Sequence, residues 1–196
     1  VFASKEPSQE KMDSVDDKWK DSMDDYNVML VTIGRSSTEN GTYLPGVDGV
    51  DASQNLNQTD PLGLSDDERD LINAAVEAKE NNGGKVIVML NNANAMESDE
   101  IKNNDGVDAI MEIGFPGGYG FYGVADILSG EANPSGHLTD TYVVTNANSP
   151  AAQNFGNYEW TNADPSVNIN AEEVEAEDIY TGYKYYETRY ADTVLG

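Results

Sequence analysis

The sequence predicts a single α/β domain, a three-layer αβα sandwich with a mostly parallel sheet. Continuous apolar runs, which are typical of strands buried on both faces, alternate along the chain with segments of helical periodicity. An order in which a helix separates each strand from the next favours parallel strands with helices packed against them. The chain has 196 residues and is 38% hydrophobic, which suffices for one core over residues 1–196.

The chain begins with a predicted amphipathic helix within residues 1–26. Its apolar residues recur at spacings of three and four: Met12, Val15, Trp19, Met23 and Tyr26. A continuous apolar run follows from Val28 to Ile33 and closes at Gly34. This run predicts the first buried strand.

The next helix carries clear start and stop signals. Ser65 and Glu68 form a capping box, apolar residues then share one face, and Gly83 ends the helix. The apolar runs Lys85–Leu90 and Ala109–Phe115 predict the second and third strands.

Three weaker segments complete the alternation. A short helix is predicted in "MESDEIKNN", a longer one in "YGFYGVADILSG", and a fourth strand in "HLTDTYVV". Ligands of such sheets lie at the carboxyl ends of the strands, so a functional site is expected after the last residues of the four strands: Gly34, Leu90, Phe115 and Val144.

The longest loop leaves the first strand at that edge, between Gly34 and Ser65. It offers Arg35 as its one cation, a candidate substrate-binding residue, and Glu39 as its one glutamate. Loops longer than about 12 to 15 residues are uncommon in compact domains and are usually functional or disordered. On composition alone, a carboxylate beside Gly and Asn is more often a turn residue, so both interpretations stay open.

A glycine pattern follows the third strand in "FPGGYGFYGVADILSG". Gly118, Gly120 and Gly123 spell G-x-G-x-x-G, and Asp140 follows at about the distance that a dinucleotide-binding fingerprint requires. The pattern lies in the third strand-helix unit instead of the first, and Phe121 crowds the start of its helix. A tight turn with close helix-to-sheet packing is therefore favoured over a dinucleotide site, and no cofactor is expected.

Charge and composition argue against several functions. The net charge of −25, from 36 acidic and 11 basic residues, disfavours nucleic acid as a partner. Without cysteine the chain has no thiolate nucleophile, and its one histidine, His137, is interpreted as structural. No calcium-loop motif supports a metal site, and no apolar run approaches the roughly 18 residues of a membrane span. The acidity fits secreted, cell-surface and salt-adapted proteins, and an extracellular location is slightly favoured over the cytoplasm.

The C-terminal part combines a polar stretch with a cluster of tyrosines. Residues 145–178 are predicted to form a surface excursion, in which Trp160 either lines a sugar subsite or rests on the sandwich. The segment "DIYTGYKYYETRY" is rich in tyrosine, and core or sheet-edge packing is favoured there over a sugar-stacking platform.

Five segments in order resemble landmarks of the C-terminal domain of glycoside hydrolase family 3, the β-glucosidase family. They are "TIGRSSTENGTYLPG", "LSDDERDLINAA", "KVIVMLNNANAME", "AIMEIGFPGGYGFYGVADILSGEANPSGHL" and "EDIYTGYKYYET". The resemblance extends from about Asn27 to about Thr188. "HLTDTYVVTNANSP" also resembles bacterial members that carry this domain before their barrel, which leaves the domain order open.

The resemblance implies one half of a retaining glycosidase that acts on a β-linked sugar. In that family a TIM barrel, absent from this chain, supplies the nucleophile, and the α/β sandwich supplies the general acid/base after its first strand. The matching residue in "SSTENG" is Glu39, flanked by Thr38 and Asn40 where the family has glycines. The resemblance implies that the chain alone is inactive. The alternative is a non-catalytic carbohydrate-binding or structural module with the same fold.

Overall fold

The structure, a computed structural model, describes residues 6–35, 60, 62–154 and 175–190. Internal contacts divide the chain into two compact units, Val1–Val144 and Thr145–Gly196. The single domain expected over residues 1–196 stays a prediction.

Three strands and five helices form the described part of the first unit. The strands are β1 (Val28–Gly34), β2 (Lys85–Asn91) and β3 (Ala109–Glu112), and the helices are α1 (Gln9–Asp13), α2 (Trp19–Met23), α3 (Asp66–Asn82), α4 (Asp99–Lys102) and α5 (Gly117–Ser129). The described part of the second unit contains a 3₁₀ helix (Asn146–Asn148), α6 (Pro150–Asn154) and α7 (Tyr183–Tyr190).

The strands form one parallel sheet in the order β1, β2, β3. In its register Val31 pairs with Val88, and Val88 pairs with Ile110. Helix α3 connects β1 to β2 and α4 lies between β2 and β3, as in other parallel sheets with helical crossovers. The predicted α/β class with its parallel sheet is confirmed. β3 is shorter than predicted and ends at Glu112.

The hydrophobic core lies on one face of this sheet. Alternate residues of β1 and β2 are buried there with apolar residues of α3: Met29, Val31, Ile33, Val86, Val88, Leu90, Ile72, Ala75 and Ala78. On the opposite face Val28 and Leu30 are 49% and 48% exposed. The described residues therefore cover this second face only in part, whereas the continuous apolar runs predict strands buried on both faces.

The capping signals of α3 are confirmed. The Ser65 side chain accepts a hydrogen bond from the Glu68 amide, and the Glu68 side chain accepts one from the Ser65 amide. Gly83 ends the helix in the left-handed conformation, with φ of 72°, where glycine lacks the Cβ that disfavours this geometry.

The prediction of one continuous leading helix is wrong, because α1 and α2 are separated by a short break. In the break, the Ser14 hydroxyl donates a hydrogen bond to the Lys11 carbonyl. The Asp16 carboxylate accepts one from the Lys18 amide. Such local side-chain bonds compete with the helical ladder. Val15, one member of the predicted apolar stripe, is exposed.

The prediction of a fourth strand is also wrong, because residues 137–144 form no strand. Leu138 and Val144 are exposed, whereas apolar residues of a strand packed in the sandwich would be buried. Tyr142 is the residue of this segment that packs against the core, and its hydroxyl donates a 2.9 Å hydrogen bond to Glu112. The segment is thus attached to β3 by a side-chain hydrogen bond and not by backbone hydrogen bonds between strands.

The tyrosine-rich segment contains helix α7 and forms no strand, although its aromatic residues are good strand formers. Gly182 precedes it with φ of 56°, so this glycine serves a turn and not a strand bulge. Within the helix the Thr188 hydroxyl donates to the Lys184 carbonyl at 2.8 Å. Tyr183 is exposed, whereas Tyr185 and Tyr186 are half-buried.

Candidate functional site

The carboxyl ends of the three strands form one continuous edge. The Arg35 amide, just after β1, donates to the Asn91 carbonyl of β2 at 3.2 Å. The Asn91 side chain in turn donates to the Gly114 carbonyl after β3, with Nδ2 and the oxygen 2.5 Å apart. Residues that follow the three strands are therefore held next to one another, as expected for a ligand-binding edge.

Arg35 lies at the start of the predicted catalytic loop and is fully buried. Its Nε and Nη2 donate to the two carboxylate oxygens of Glu68 at 2.9 and 2.5 Å. Both side chains have an exposed fraction of 0%. Nη2 also donates to the Gly63 carbonyl at 2.7 Å. The planar guanidinium thus joins the end of β1 to the entrance of α3.

Glu68 has two tasks because it occupies the third position of α3. Its Oε2 accepts the Ser65 amide at 2.8 Å as part of the capping box, and it also accepts from Arg35. A buried carboxylate requires such a full set of donors, since an isolated charge in the interior is strongly unfavourable. The helix cap and the ion pair therefore depend on the same side chain.

Glu6 brings a second carboxylate to this end of β1. Its Oε1 accepts a hydrogen bond from the Gly34 amide at 2.9 Å. Burial raises the pKa of Glu6 and the nearby charge of Glu68 raises it further, whereas the Gly34 hydrogen bond and Arg35 oppose the rise. Glu6 thus lies beside the ion pair, and its carboxyl group is harder to ionise than a solvated one.

Asparagines follow β2 at the same edge. Asn92 is buried, accepts the Asn94 amide at 3.1 Å and donates to the Met96 sulfur at 3.1 Å. The side-chain nitrogen of Asn94 is buried and has no hydrogen-bond partner within the described ranges. This edge thus holds one donor that its described neighbours leave unsatisfied.

The end of β3 contributes a carboxylate that is already engaged. Glu112 accepts the Gly114 amide at 2.8 Å with one oxygen and the Tyr142 hydroxyl with the other. Burial raises the pKa of Tyr142, and so does its hydrogen bond to Glu112, which keeps the phenol a proton donor at neutral pH. We assign these two residues a structural role.

The three predicted site residues fall in different parts of the chain. Arg35 lies at the predicted edge, where its side chain contacts Glu68 and Gly63, and substrate contact by Arg35 stays a prediction. Glu39 and Trp160 lie outside the described residues. Sequence reasoning missed Glu6 as a neighbour of this site and recognised Glu68 only as a helix cap. No signal in the sequence singles out Glu68 as the partner of Arg35, because their contact depends on how α3 docks beside β1.

The glycine pattern after β3 begins α5. Gly117 adopts φ of 62°, which supports the predicted tight turn. A Cβ on Gly120 would lie 2.8 Å from Cβ of Pro116, so this glycine is required by a close approach within the turn. A Cβ on Gly118 or Gly123 would meet nothing within 4 Å, and the prediction of close helix-to-sheet packing by these two glycines is wrong.

Two other functional features are absent from the part of the chain that the structure describes. No three acidic or histidine side chains converge there in a way that would hold a metal ion. No helix there combines the length and the apolar character needed to cross a membrane.

Comparisons with known proteins identify similar sequences and structures. The profile of the glycosyl hydrolase family 3 C-terminal domain matches residues 6–186. The chain is 27% identical to thermostable beta-glucosidase B of Acetivibrio thermocellus over 170 residues, which are 86% of this chain and 20% of that protein. It is 31% identical to a beta-glucosidase of Ruminococcus albus over 113 residues, which are 58% of this chain and 11% of that protein.

A solved structure gives the same result. Beta-glucosidase 3B of Thermotoga neapolitana, in complex with glycerol, superposes with a TM-score of 0.63 and 32% identity. The alignment covers 87% of this chain and 21% of that one, so the chain spans about a fifth of its relative. Since the family profile matches nearly the whole sequence, the chain belongs to the glycosyl hydrolase family 3 C-terminal domains.

Proposed function

We propose that this chain is the general acid/base domain of a retaining, β-glucosidase-like glycoside hydrolase, with Glu39 as the acid/base. The observation that carries the proposal is the family match over residues 6–186. The geometry supports it, because β1 ends at Gly34, a few residues before Glu39, on the edge where parallel sheets bind ligands.

The chemistry of a retaining enzyme fits a site divided between two domains. One carboxylate attacks the anomeric carbon of the β-linked sugar, and a carboxylic acid about 5 to 5.5 Å away protonates the leaving oxygen. In this proposal Glu39 is the proton donor, and a TIM-barrel domain of the same parent polypeptide supplies the nucleophile. The chain's share of its relatives, 20 to 21% in two of the comparisons, leaves ample length for such a domain.

The proton donor must be protonated near neutral pH. For Glu39 this requires a raised pKa, which partial burial and the negative charge of a nearby nucleophile would provide. Both conditions depend on a docked barrel, so the chain alone should not hydrolyse aryl β-glucosides. In this proposal Trp160 lines a sugar subsite. The protein is proposed to act outside the cell, on the ground of its acidity alone.

The test combines this chain with a TIM-barrel domain of a family 3 enzyme and measures kcat against pH. We expect hydrolysis only in the combination, with a fall at high pH that reports deprotonation of the acid. Glu39→Gln should abolish that fall, and azide should restore turnover. Glu77→Gln, an exposed carboxylate on α3, is the matched control. Unchanged kinetics in Glu39→Gln would instead favour the non-catalytic module.

A further inference from the structure

We propose that Asn82 is a deamidation site: its intact amide holds the segment before β1, residues 19–27, and its conversion to aspartate releases that segment. Asn82 is the last residue of α3 and lies at the amino end of β2, away from the carboxyl edge of the sheet. The inference therefore does not rest on the proposed function.

The Asn82 side chain connects the end of α3 with the residues that lead into β1. Its Nδ2 donates hydrogen bonds to the carbonyls of Met23 at 3.2 Å and Tyr26 at 2.9 Å. Its Oδ1 accepts the Gly84 amide at 2.8 Å. Both contacts to residues 19–27 need the amide nitrogen, because a carboxylate has no proton to donate.

The held segment depends on such contacts. Helix α2 has five residues, none of them buried, and a helix of this length is not stable by itself. Met23 packs against the core as a partly buried residue, and the Asn27 carbonyl accepts the Lys85 amide at 2.8 Å. The Asn82 amide lies between these two contacts and supplies two further hydrogen bonds.

The residue after Asn82 favours deamidation. Gly83 has no Cβ to hinder the approach of its backbone nitrogen to the preceding side chain. In the reaction the Gly83 nitrogen forms a bond to Cγ of Asn82, the Cγ–Nδ2 bond breaks, and ammonia leaves with the proton of the Gly83 amide. Water then opens the succinimide ring to aspartate or isoaspartate.

The folded chain engages both reacting groups. The Gly83 amide donates to the Lys79 carbonyl at 2.7 Å, and the Asn82 amide makes its three hydrogen bonds. The attack therefore requires a local opening at the end of α3. The fold thus slows a reaction that the sequence favours.

The product does not fit the place of the amide. Carboxylate oxygens at position 82 would face the carbonyl oxygens of Met23 and Tyr26, and both hydrogen bonds would be lost. The new negative charge would also lie at the C-terminal end of α3, where the helix dipole is unfavourable to it.

The first experiment follows deamidation of the complete chain by peptide mass spectrometry at mildly alkaline pH, with and without denaturing urea. We expect conversion at Asn82 to be about 10-fold or more slower in the folded chain, because the opening must break several hydrogen bonds. Equal rates under the two conditions, or no conversion even in urea, would overturn the assignment.

The second experiment measures amide hydrogen exchange in Asn82→Asp, which introduces the product. Exchange in residues 19–27 should become about 10-fold faster, whereas residues 86–90 in β2 should exchange as in the parent. Asn81→Asp places the same charge on the exposed neighbouring residue, so it is the matched control and should leave both segments unchanged.

Exchange of residues 19–27 at the parent's rate in Asn82→Asp would show that the amide does not hold this segment. If Asn82→Asp fails to fold, the deamidated fraction of the parent, purified by its additional negative charge, provides the same comparison.

Discussion

The carboxylate of Glu6 accepts a hydrogen bond from the backbone amide of Gly34, across 28 residues of chain. Burial raises the pKa of Glu6 above its ordinary value of 4.5, and Glu68 adds to the rise. A carboxyl group with a raised pKa binds more protons in the folded state, so its contribution to the free energy of unfolding falls as pH increases above that value. Glu6 therefore weakens the fold at neutral pH.

The variant Glu6→Gln tests this linkage. The amide oxygen still accepts from Gly34 and carries no charge, so the variant should be more stable than the parent at pH 7. The gain should shrink on acidification and vanish below about pH 4, where both forms are neutral. Urea unfolding at several pH values measures it, with exposed Glu10→Gln as control. A variant that is less stable at pH 7 would contradict the assignment.

Because the ion pair is buried, replacing one of its residues should lower the free energy of unfolding more than replacing both. Glu68→Gln removes the charge of the carboxylate that pairs with Arg35 in a fully buried site, which should lower the free energy of unfolding by about 3–5 kcal/mol. Arg35→Met with Glu68→Met removes both charges of the pair, so it should recover part of that loss even though the Ser65 amide loses its acceptor. Urea midpoints of the three proteins provide the comparison. A double variant no more stable than Glu68→Gln would contradict this explanation.

Elements governed by local chemistry could be predicted from sequence. The capping box at Ser65 and the left-handed Gly83 are encoded within a few residues, so α3 was predicted to within a residue at each end. The break in the leading helix could not be predicted, because an apolar stripe does not reveal that side-chain hydrogen bonds at Ser14 and Asp16 interrupt the helical hydrogen bonds. Periodicity predicts which face is apolar, but not whether the backbone continues.

Features that depend on distant contacts were harder to predict. The segment that ends at Val144 has strand composition, yet its Leu138 and Val144 are exposed, and it attaches to β3 through the Tyr142 side chain instead. At the site, Arg35 could be identified from the sequence because it is the one cation of the loop between Gly34 and Ser65. Its pairing with Glu68, 33 residues away, depends on how α3 docks beside β1.

The packing of Gly106 against Val76 leaves no room for a larger residue at position 106. A Cβ on Gly106 would lie 2.3 Å from Cγ1 of Val76, too close without movement of the helix or the loop. The Gly106 carbonyl also accepts from Lys79, which restrains such movement. Gly106→Ala should therefore lower the free energy of unfolding by about 1–3 kcal/mol. Urea unfolding measures the change.

Two further variants make the Gly106 test specific. Val76→Ala removes the clashing methyl groups, so the double variant should be more stable than the sum of the single effects predicts. Gly118→Ala in α5 is the matched control, because a Cβ there meets nothing within 4 Å. That substitution should be neutral or gain up to about 1 kcal/mol. Strict additivity of Gly106→Ala and Val76→Ala would contradict the proposed contact.

The contribution of Asp108, at the amino end of β3, to the free energy of unfolding should depend on pH in the opposite direction to that of Glu6. Its carboxylate accepts hydrogen bonds from Lys79 and Lys85, both at 2.8 Å, and from the Val86 amide at 2.9 Å. These contacts, with Lys79 first, hold its pKa well below the ordinary 3.8, so the folded state binds fewer protons and the stabilisation is lost as pH falls below that value. Asp108→Asn should therefore lower the melting temperature at pH 7, and by progressively less below pH 4. Exposed Asp105→Asn should change it little at any pH, and a deficit for Asp108→Asn that stays constant down to pH 2 would show that the lysine contacts are not its source.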